Sequence, residues 1–256
     1  MSFFKSLSKE QQKNAAYLNA ALKKYFPNKY IRAGILSVVS KESAYKQFKE
    51  TSYATTSNAR IRAIFGSRLS GYTEEQLNAL KRNYNEFYNV VYGGEWGKRN
   101  LGNTQPGDGS RYVGRGYNGV TGRINYANIG KAIGVDLISN PELLENPKVA
   151  ALACAEYFKQ NFDKGQKTIL RRYSTTADKV SDTLTAARIA HNANMGWGNI
   201  PENDPTGGWE KTKSRVDSFH DNLSNLSKLV SENAPFLLTA LTIGAAGFFL
   251  LSKLNS

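Results

Sequence analysis

Twenty consecutive residues near the C terminus, 233 to 252, carry no charge, and this stretch constrains the fold more than any other feature. Its centre, residues 236 to 251, reads FLLTALTIGAAGFFLL. A helix of about 20 residues spans about 30 Å, the thickness of the hydrocarbon core of a bilayer. The last helix of a globular domain normally has a polar face, which this stretch lacks. The pattern predicts one C-terminal transmembrane helix within residues 233–256 that contacts a lipid bilayer through residues 233–252. The alternative is a buried core helix.

The composition of the rest of the chain restricts its chemistry. Of 256 residues, 40% are hydrophobic and 11% aromatic, which is enough to form one globular domain over residues 1–232. The single cysteine, Cys154, excludes an intramolecular disulfide and suits a small core position. Two histidines leave little material for a metal site, so we expect no metal, no cofactor, and chemistry carried by carboxylates and hydroxyls.

The net charge of +13 favours a polyanionic partner. We do not expect that partner to be nucleic acid, because the charges are dispersed and no helix shows a basic stripe with base-reading residues. The first residues, MSFFK, contain no apolar stretch typical of a secretory signal. We therefore expect the chain to be made in the cytoplasm without export through such a signal.

Helix-start signals along residues 1–232 predict a mainly α-helical domain. Ser8 with Gln11, and Thr73 with Gln76, have the spacing of capping boxes. The expected helices cover residues 8–26, 30–43, 73–91, 147–162, 176–190 and 209–232.

Glycine interrupts this helical pattern between Gly93 and Gly122, where ten of thirty residues are glycine. Long loops without regular structure are uncommon in compact domains unless they bind or catalyse. We expect an ordered Gly-rich loop or small hairpin region that contributes to a functional site, with a surface connector as the alternative.

An apolar helix stripe ends in a carboxylate. Ile31, Ile35 and Val38 lie four and three residues apart, and the next position of the stripe is Glu42. Partial burial there disfavours the charged form of the side chain, which suits a general acid. The alternative is a helix-end glutamate that is solvated or paired with a lysine such as Lys46.

A second carboxylate, Glu50, follows eight residues later in a segment rich in Thr and Ser. On an unbroken helix the two would lie about 12 Å apart along the axis. Inverting glycoside hydrolases hold their carboxyl groups about 6.5 to 9.5 Å apart around a water. A paired role therefore requires the helix to end soon after Glu42 and the chain to fold back. Otherwise Glu50 is a surface charge.

Several motifs between about residues 35 and 158 occur in a characteristic order. They are ILSVVSKES at 35–43, VYGG at 91–94, GNTQPGDG at 102–109, YVGRG at 112–116, TGRINY at 121–126 and NPELL at 140–144. Together they resemble glycoside hydrolase family 19, which comprises chitinases and phage endolysins. The resemblance implies a lysozyme-like, two-lobed helical domain.

Transferred residue by residue, the resemblance implies that Glu42 is the general acid and that Glu50 is the base that activates water, with Thr121 helping to hold that water. It also implies a set of residues that bind or shape the sugar cleft: Tyr112, Arg115, Asn118, Asn125 and Trp197.

Two positions depart from the family pattern. Lys41 stands where histidine is usual, which places a cation beside the expected acid and favours its ionised form. Gly119 stands where a sugar-contacting glutamine is common, so its hydrogen bond to substrate is missing or is supplied by Asn118.

These features predict a membrane-anchored peptidoglycan hydrolase that cleaves β-1,4 bonds between N-acetylated sugars by an inverting mechanism with two glutamates. The apolar tail and the endolysin-like motifs predict a location in the membrane of a phage particle, or in the host membrane during infection, with other virion or membrane proteins as further partners. Two alternatives remain: a lytic transglycosylase that uses Glu42 alone, and a catalytically inactive sugar-binding or structural virion protein.

Overall fold

The computed structural model of the protein describes residues 2–46 and 48–231. These residues form twelve α-helices and four short 3-10 turns, and they contain isolated β-bridges but no strand. The expected mainly α-helical class is confirmed. The helices are α1 (Phe3–Ser6), α2 (Lys9–Lys23), α3 (Lys29–Glu42), α4 (Asn58–Phe65), α5 (Glu74–Leu80), α6 (Tyr84–Val91), α7 (Gly94–Leu101), α8 (Asp108–Arg111), α9 (Arg123–Ile133), α10 (Pro147–Tyr173), α11 (Thr183–Met195) and α12 (Gly208–Ser231).

Both predicted capping boxes are present. The Ser8 hydroxyl accepts from the Gln11 amide at 3.2 Å, and the Gln11 side chain accepts from the Ser8 amide at 2.9 Å. Thr73 and Gln76 make the same pair of bonds. Because each box involves residues only three positions apart, α2 and α5 begin where the sequence alone predicts.

The predicted helix over 73–91 is wrong in one respect, since it is two helices. α5 ends at Leu80, and α6 begins at Tyr84. The side chain of Asn83 accepts a hydrogen bond from the amide of Glu86 at 3.2 Å and thereby caps a new helix. Because of this break, α6 is a separate helix. It carries Tyr84 and Tyr88, which contact the candidate site.

Two further helix boundaries differ from expectation. α10 continues to Tyr173 because Phe162 and Ile169 remain buried against the core. α11 begins only at Thr183, where Asp182 accepts from the amide of Thr185 at 2.7 Å. In both cases packing or a cap outside the predicted range decides the boundary.

The core consists of three clusters of buried residues. The largest joins α1, α2 and α3 to α10, α11 and α12, and it contains the fully buried Cys154. A second lies under α4, α5 and α6, and a third joins α9 to the start of α10. The glycine-rich segment contributes to all three clusters, through Tyr117, Val113 and Tyr112 respectively. This segment therefore lies where the three parts of the domain meet.

The glycine-rich segment is more regular than the expected loop, because it contains α7 and α8. After α8 the chain forms a tight hairpin turn. The amide of Arg115 donates to the carbonyl of Val120 at 3.1 Å, and the amide of Val120 donates back at 2.8 Å.

Among residues 2–46 and 48–231, no helix is both long and apolar enough to cross a membrane. The transmembrane helix expected within 233–256 lies outside the described residues.

Candidate active site

The last residue of α3 is Glu42, and the chain turns sharply after it. Ala44 and Tyr45 adopt left-handed backbone conformations, with φ of 49° and 62°, which are uncommon for residues other than glycine. The ring of Tyr45 is fully buried, and its hydroxyl donates to the carbonyl of Leu36. A buried tyrosine thus fixes the end of the helix, and the chain leaves the helix axis as a paired role for Glu42 and Glu50 requires.

The carboxylate of Glu42 accepts two hydrogen bonds on Oε1. Lys41 Nζ lies 2.5 Å away, and Asn194 Nδ2 of α11 lies 2.7 Å away. No described residue bonds to Oε2. The side chain keeps 32% of its surface exposed, because α3 ends at this residue. The lysine partner is therefore the adjacent Lys41 rather than Lys46. The contact with Asn194 was not predicted.

A buried polar cluster lies behind Lys41. His191 is fully buried, with Nδ1 3.1 Å from the Thr212 hydroxyl and Nε2 3.2 Å from Asp204 Oδ2. Burial and the charge of Lys41 lower the pKa of His191, which keeps the ring neutral near pH 7. These contacts give His191 a structural role. The described residues contain no group of three or more His, Cys, Asp or Glu side chains arranged to hold a metal ion.

Glu50 lies on a short extended segment that pairs with the hairpin after α8. The amide of Glu50 donates to the carbonyl of Gly114 at 2.9 Å, and the amide of Gly116 donates to the carbonyl of Phe48 at 3.0 Å. Glu50 therefore belongs to a fixed backbone pair and is not a solvated surface charge.

Three tyrosines spaced four residues apart on and just after α6 hold this segment. The hydroxyl of Tyr84 donates to the carbonyl of Glu50 at 2.9 Å, and that of Tyr88 donates to the carbonyl of Thr51 at 2.7 Å. The hydroxyl of Tyr92 donates to Glu50 Oε1 at 2.6 Å. Burial and the charge of Glu50 raise the pKa of Tyr92, so its hydroxyl stays a donor. The spacing is visible in the sequence, but the partners of the hydroxyls are not.

The second oxygen of Glu50 is also held. Oε2 accepts from the amide of Gly114 at 2.7 Å. A methyl group on Gly114 would lie 3.0 Å from this oxygen and 3.2 Å from the Thr121 hydroxyl, so the carboxylate and the hydroxyl flank the same glycine. The Thr121 hydroxyl donates to the carbonyl of Gly119 at 2.8 Å, which leaves its lone pairs able to accept. The structure thus brings Glu50 and Thr121 together as the resemblance implies.

Two residues expected in the sugar cleft are buried instead. Tyr112 is 1% exposed, and its hydroxyl donates to the carbonyl of Ile138 at 3.1 Å, so its side chain belongs to the core. Arg115 is 5% exposed and pairs with Glu145 at 2.9 Å, while also donating to the hydroxyl of Tyr126 at 3.1 Å. Neither side chain, as it stands, presents surface to a sugar. Arg115 fixes the hairpin from behind.

Asn125 is accessible to a ligand, whereas the amide of Asn118 is buried. Both polar side-chain atoms of Asn118 are buried without a hydrogen-bond partner among the described residues, an arrangement that costs free energy unless something bonds to them. Asn125 is exposed and donates to the backbone carbonyl of Thr121 at 2.8 Å.

Trp197 packs against α10. Its indole nitrogen donates to the carbonyl of Asn161 at 2.8 Å, its ring meets Phe162 edge to face, and Gly165 has no room for a side chain beneath it. These contacts give Trp197 a structural role against α10.

A glutamate at a helix end, together with a second glutamate held beside a hydroxyl, supplies the pair of carboxylates that most glycoside hydrolases use. The chain belongs to glycoside hydrolase family 19, described as chitinase class I, which matches residues 35–222. It is also similar to basic endochitinase B of Arabidopsis thaliana, with 46% identity over 50 residues, or 20% of this chain. The match covers 15% of the length of that relative.

Proposed function

We propose that the protein hydrolyses the β-1,4 bond between N-acetylated sugars of peptidoglycan by a single displacement that inverts the anomeric carbon. The observation that carries this proposal is the environment of Glu50. Its carboxylate accepts from Tyr92 on one oxygen and from the amide of Gly114 on the other, beside the hydroxyl of Thr121. An oriented carboxylate next to a hydroxyl oxygen that can accept a hydrogen bond is suited to positioning one water and taking its proton.

In this reaction Glu50 acts as the general base. Its two hydrogen bonds fix its orientation. The attacking water donates one hydrogen to Glu50 and the other to the hydroxyl oxygen of Thr121. It then attacks the anomeric carbon on the face opposite the leaving group, as inversion requires.

Glu42 acts as the general acid that protonates the glycosidic oxygen. Lys41 and Asn194 both bond to Oε1, so Oε2 is the oxygen available to carry and deliver the proton.

Peptidoglycan is proposed as the polymer because the net charge of +13 suits an anionic wall. Chitin shares the N-acetylated β-1,4 backbone, and the family is described as chitinase class I. The same two glutamates would serve either polymer, so the substrate must be determined on both.

The test compares the full chain with its Glu42→Gln and Glu50→Gln variants on purified sacculi and on chitin, with released ends identified by mass spectrometry and anomers by NMR. We expect reducing ends of inverted configuration from sacculi, and a rate loss of about 100-fold or more in each variant. Glu75→Gln, at an exposed glutamate of α5, is the matched control and keeps full activity.

Anhydro ends that persist in the Glu50→Gln variant would contradict the proposal and identify a lytic transglycosylase. Release of ends from chitin alone would correct the substrate and leave the mechanism in place.

We also propose that residues 233–252 anchor the enzyme in a bilayer, and that this bilayer belongs to a phage particle that delivers the enzyme to the wall. The support is the charge-free length of this segment together with the endolysin-like motifs. Absence of the protein from purified particles would contradict this location.

A further inference from the structure

Two aromatic side chains are exposed among the described residues. One is two positions from Glu50 in the chain, and the other is linked to Glu50 through Arg68 and Tyr92. Phe48 is 38% exposed and Trp96 is 37% exposed, whereas every described tyrosine and the other described Phe and Trp residues are at least partly buried. Exposure of a large aromatic ring leaves apolar surface in water, and such surface commonly marks a binding site. Both exposed rings are thus linked to the carboxylate that acts as the base in the proposed reaction.

Phe48 lies on the same side of the extended segment as Glu50. Side chains two residues apart on an extended chain point to the same face. The ring of Phe48 lies over Gly119, where a methyl group would be only 3.2 Å from the Phe48 Cζ atom. A side chain at position 119 would compete with this ring for space. The missing side chain of Gly119 therefore lets an apolar ring occupy the surface beside Glu50.

Trp96, on α7, is linked to the same carboxylate indirectly, through Arg68 and Tyr92. Its ring centroid lies 4.0 Å from the guanidinium carbon of Arg68, and this carbon lies 6.0 Å from the ring centroid of Tyr92. Tyr92 in turn donates to Glu50.

Arg68 fixes the indole in place. Its guanidinium donates to the carbonyls of Phe65 and Val91, both at 2.9 Å, and these two bonds fix the position of the guanidinium. The guanidinium stacks on Trp96, and the exposed part of the indole remains available to a ligand.

The carbon-bound hydrogens of a pyranose ring give it apolar faces between polar edges. A rigid aromatic ring stacks on such a face through dispersion and removes apolar surface from water. Exposed amides such as that of Asn125 can bond to the polar edges. An apolar surface with a few polar groups is the usual composition of a ligand site.

We propose that Phe48 and Trp96, the aromatic pair, are two stacking platforms that bind sugar rings of a polymeric glycan beside Glu50. The inference rests on the proposed function and adds to it the residues that hold the polymer. The ring of Phe48, which lies over Gly119, offers the sugar an apolar contact. The family commonly has a glutamine at position 119, which makes a polar contact there.

The first experiment measures binding of a chitin hexasaccharide, and pelleting with sacculi, in the full chain carrying Glu42→Gln to prevent cleavage. We expect Phe48→Ala and Trp96→Ala each to weaken binding about tenfold, which corresponds to about 1.4 kcal/mol. Phe48→Tyr and Trp96→Phe keep a ring and should retain most of the affinity. Leu170→Ala, at a side chain of α10 that is 57% exposed, is the control and should bind like the parent.

The second measurement separates stacking from a structural role. The chain has three tryptophans, of which Trp209 is 4% exposed and Trp197 is bonded through its indole nitrogen. We expect the glycan to change the tryptophan fluorescence of the parent, and this change to be lost in Trp96→Phe while binding persists. In the active chain, the alanine variants should raise KM with kcat and the melting temperature unchanged.

Equal binding by the parent, both alanine variants and Leu170→Ala would overturn the inference, and reducing ends released by the active chain would then show that the proposed function survives it. A fall in kcat and melting temperature without a change in KM would also overturn it. If the parent bound neither glycan and the active chain released no ends, the proposed function would fail together with the inference.

Discussion

A side chain at position 114 would crowd the carboxylate of Glu50. Gly114 is not among the positive-φ residues, so alanine fits its backbone, but the methyl group would lie 3.0 Å from Glu50 Oε2 and 3.2 Å from the Thr121 hydroxyl. Contacts this short force one of the two groups to move. The amide of Gly114 also donates to the carboxylate at 2.7 Å, so the displaced oxygen loses its hydrogen bond.

We therefore expect Gly114→Ala to lower kcat by about tenfold to 100-fold, because small displacements of catalytic groups have effects of this size. The melting temperature should change little, since alanine also restricts the unfolded chain. Steady-state kinetics and thermal unfolding provide the two measurements. Gly71→Ala is the control, because nothing lies within 4 Å of the added methyl group. Unchanged kcat in Gly114→Ala would show that the carboxylate need not occupy this position.

At the scale of single residues, the sequence predicts which side chains carry chemistry better than it predicts what holds them. Glu42 can be found from an apolar stripe, and Glu50 and Thr121 from the family motifs. Asn194 is 152 positions from Glu42 in the chain, so its bond cannot be inferred from local spacing. Tyr112 was misassigned for a related reason, because an aromatic residue in a motif looks the same whether it faces the cleft or the core.

At the scale of elements, the connection between α11 and α12 depends on one carboxylate. Asp204 Oδ2 accepts from the amide of Trp209 at 3.1 Å and lies 3.2 Å from His191 Nε2, while Oδ1 accepts from the amide of Thr206 at 2.9 Å. Burial alone would raise the pKa of Asp204, but hydrogen bonds from Thr206 and the neighbouring His191 and Lys41 lower it to about 2. The ionised form therefore stabilises the link between these helices.

A carboxyl whose folded pKa is below its unfolded value stabilises the fold above the unfolded pKa, and this contribution is lost as pH falls through the folded pKa. For Asp204 the window runs from the ordinary aspartate pKa of 3.8 down to a pKa of about 2. We expect Asp204→Asn to lower the free energy of unfolding at pH 7 by roughly 2 kcal/mol. The difference from the parent should shrink below pH 4 and nearly vanish at pH 2.

Thermal or denaturant unfolding from pH 2 to pH 7 measures this difference. Asp221→Asn, at an α12 side chain that is 74% exposed, is the control and should match the parent throughout. A constant difference between Asp204→Asn and the parent at every pH would show that shape and hydrogen bonding, rather than charge, account for the effect.

Element boundaries show the same division between local and distant causes. The starts of α2 and α5 follow from capping boxes within four residues, and the structure has them as expected. The break between α5 and α6 follows from the Asn83 cap, which is also local but was hidden by an apolar stripe that continues across it. The extension of α10 depends on packing against distant residues, which helical periodicity alone does not reveal.

At the scale of the whole molecule, charge and the apolar segment would act together. In the proposed function, the net charge of +13 would attract the protein to an anionic wall over about a Debye length, roughly 8 Å at physiological salt. A bilayer anchor would hold it near one surface and raise its local concentration there. Neither effect depends on the geometry of the active site, so a mutation can remove either one without changing the catalytic rate.

Ile243 lies near the middle of the uncharged segment 233–252, and its replacement by lysine tests the proposed anchor. A lysine at the centre of a spanning helix costs about 2.5 to 3.5 kcal/mol, or more than about 50-fold in partition. We expect the full-length parent to float with liposomes on a density gradient, and Ile243→Lys to remain largely in the soluble fractions. Gly71→Lys adds the same charge at an exposed position of the domain and should float like the parent. Because the segment is far in sequence from Glu42 and Glu50, both variants should still release ends from sacculi at the parental rate. Equal flotation of Ile243→Lys and the parent would mean that the domain itself binds lipid, and its positive charge would then be the first cause to examine by adding salt.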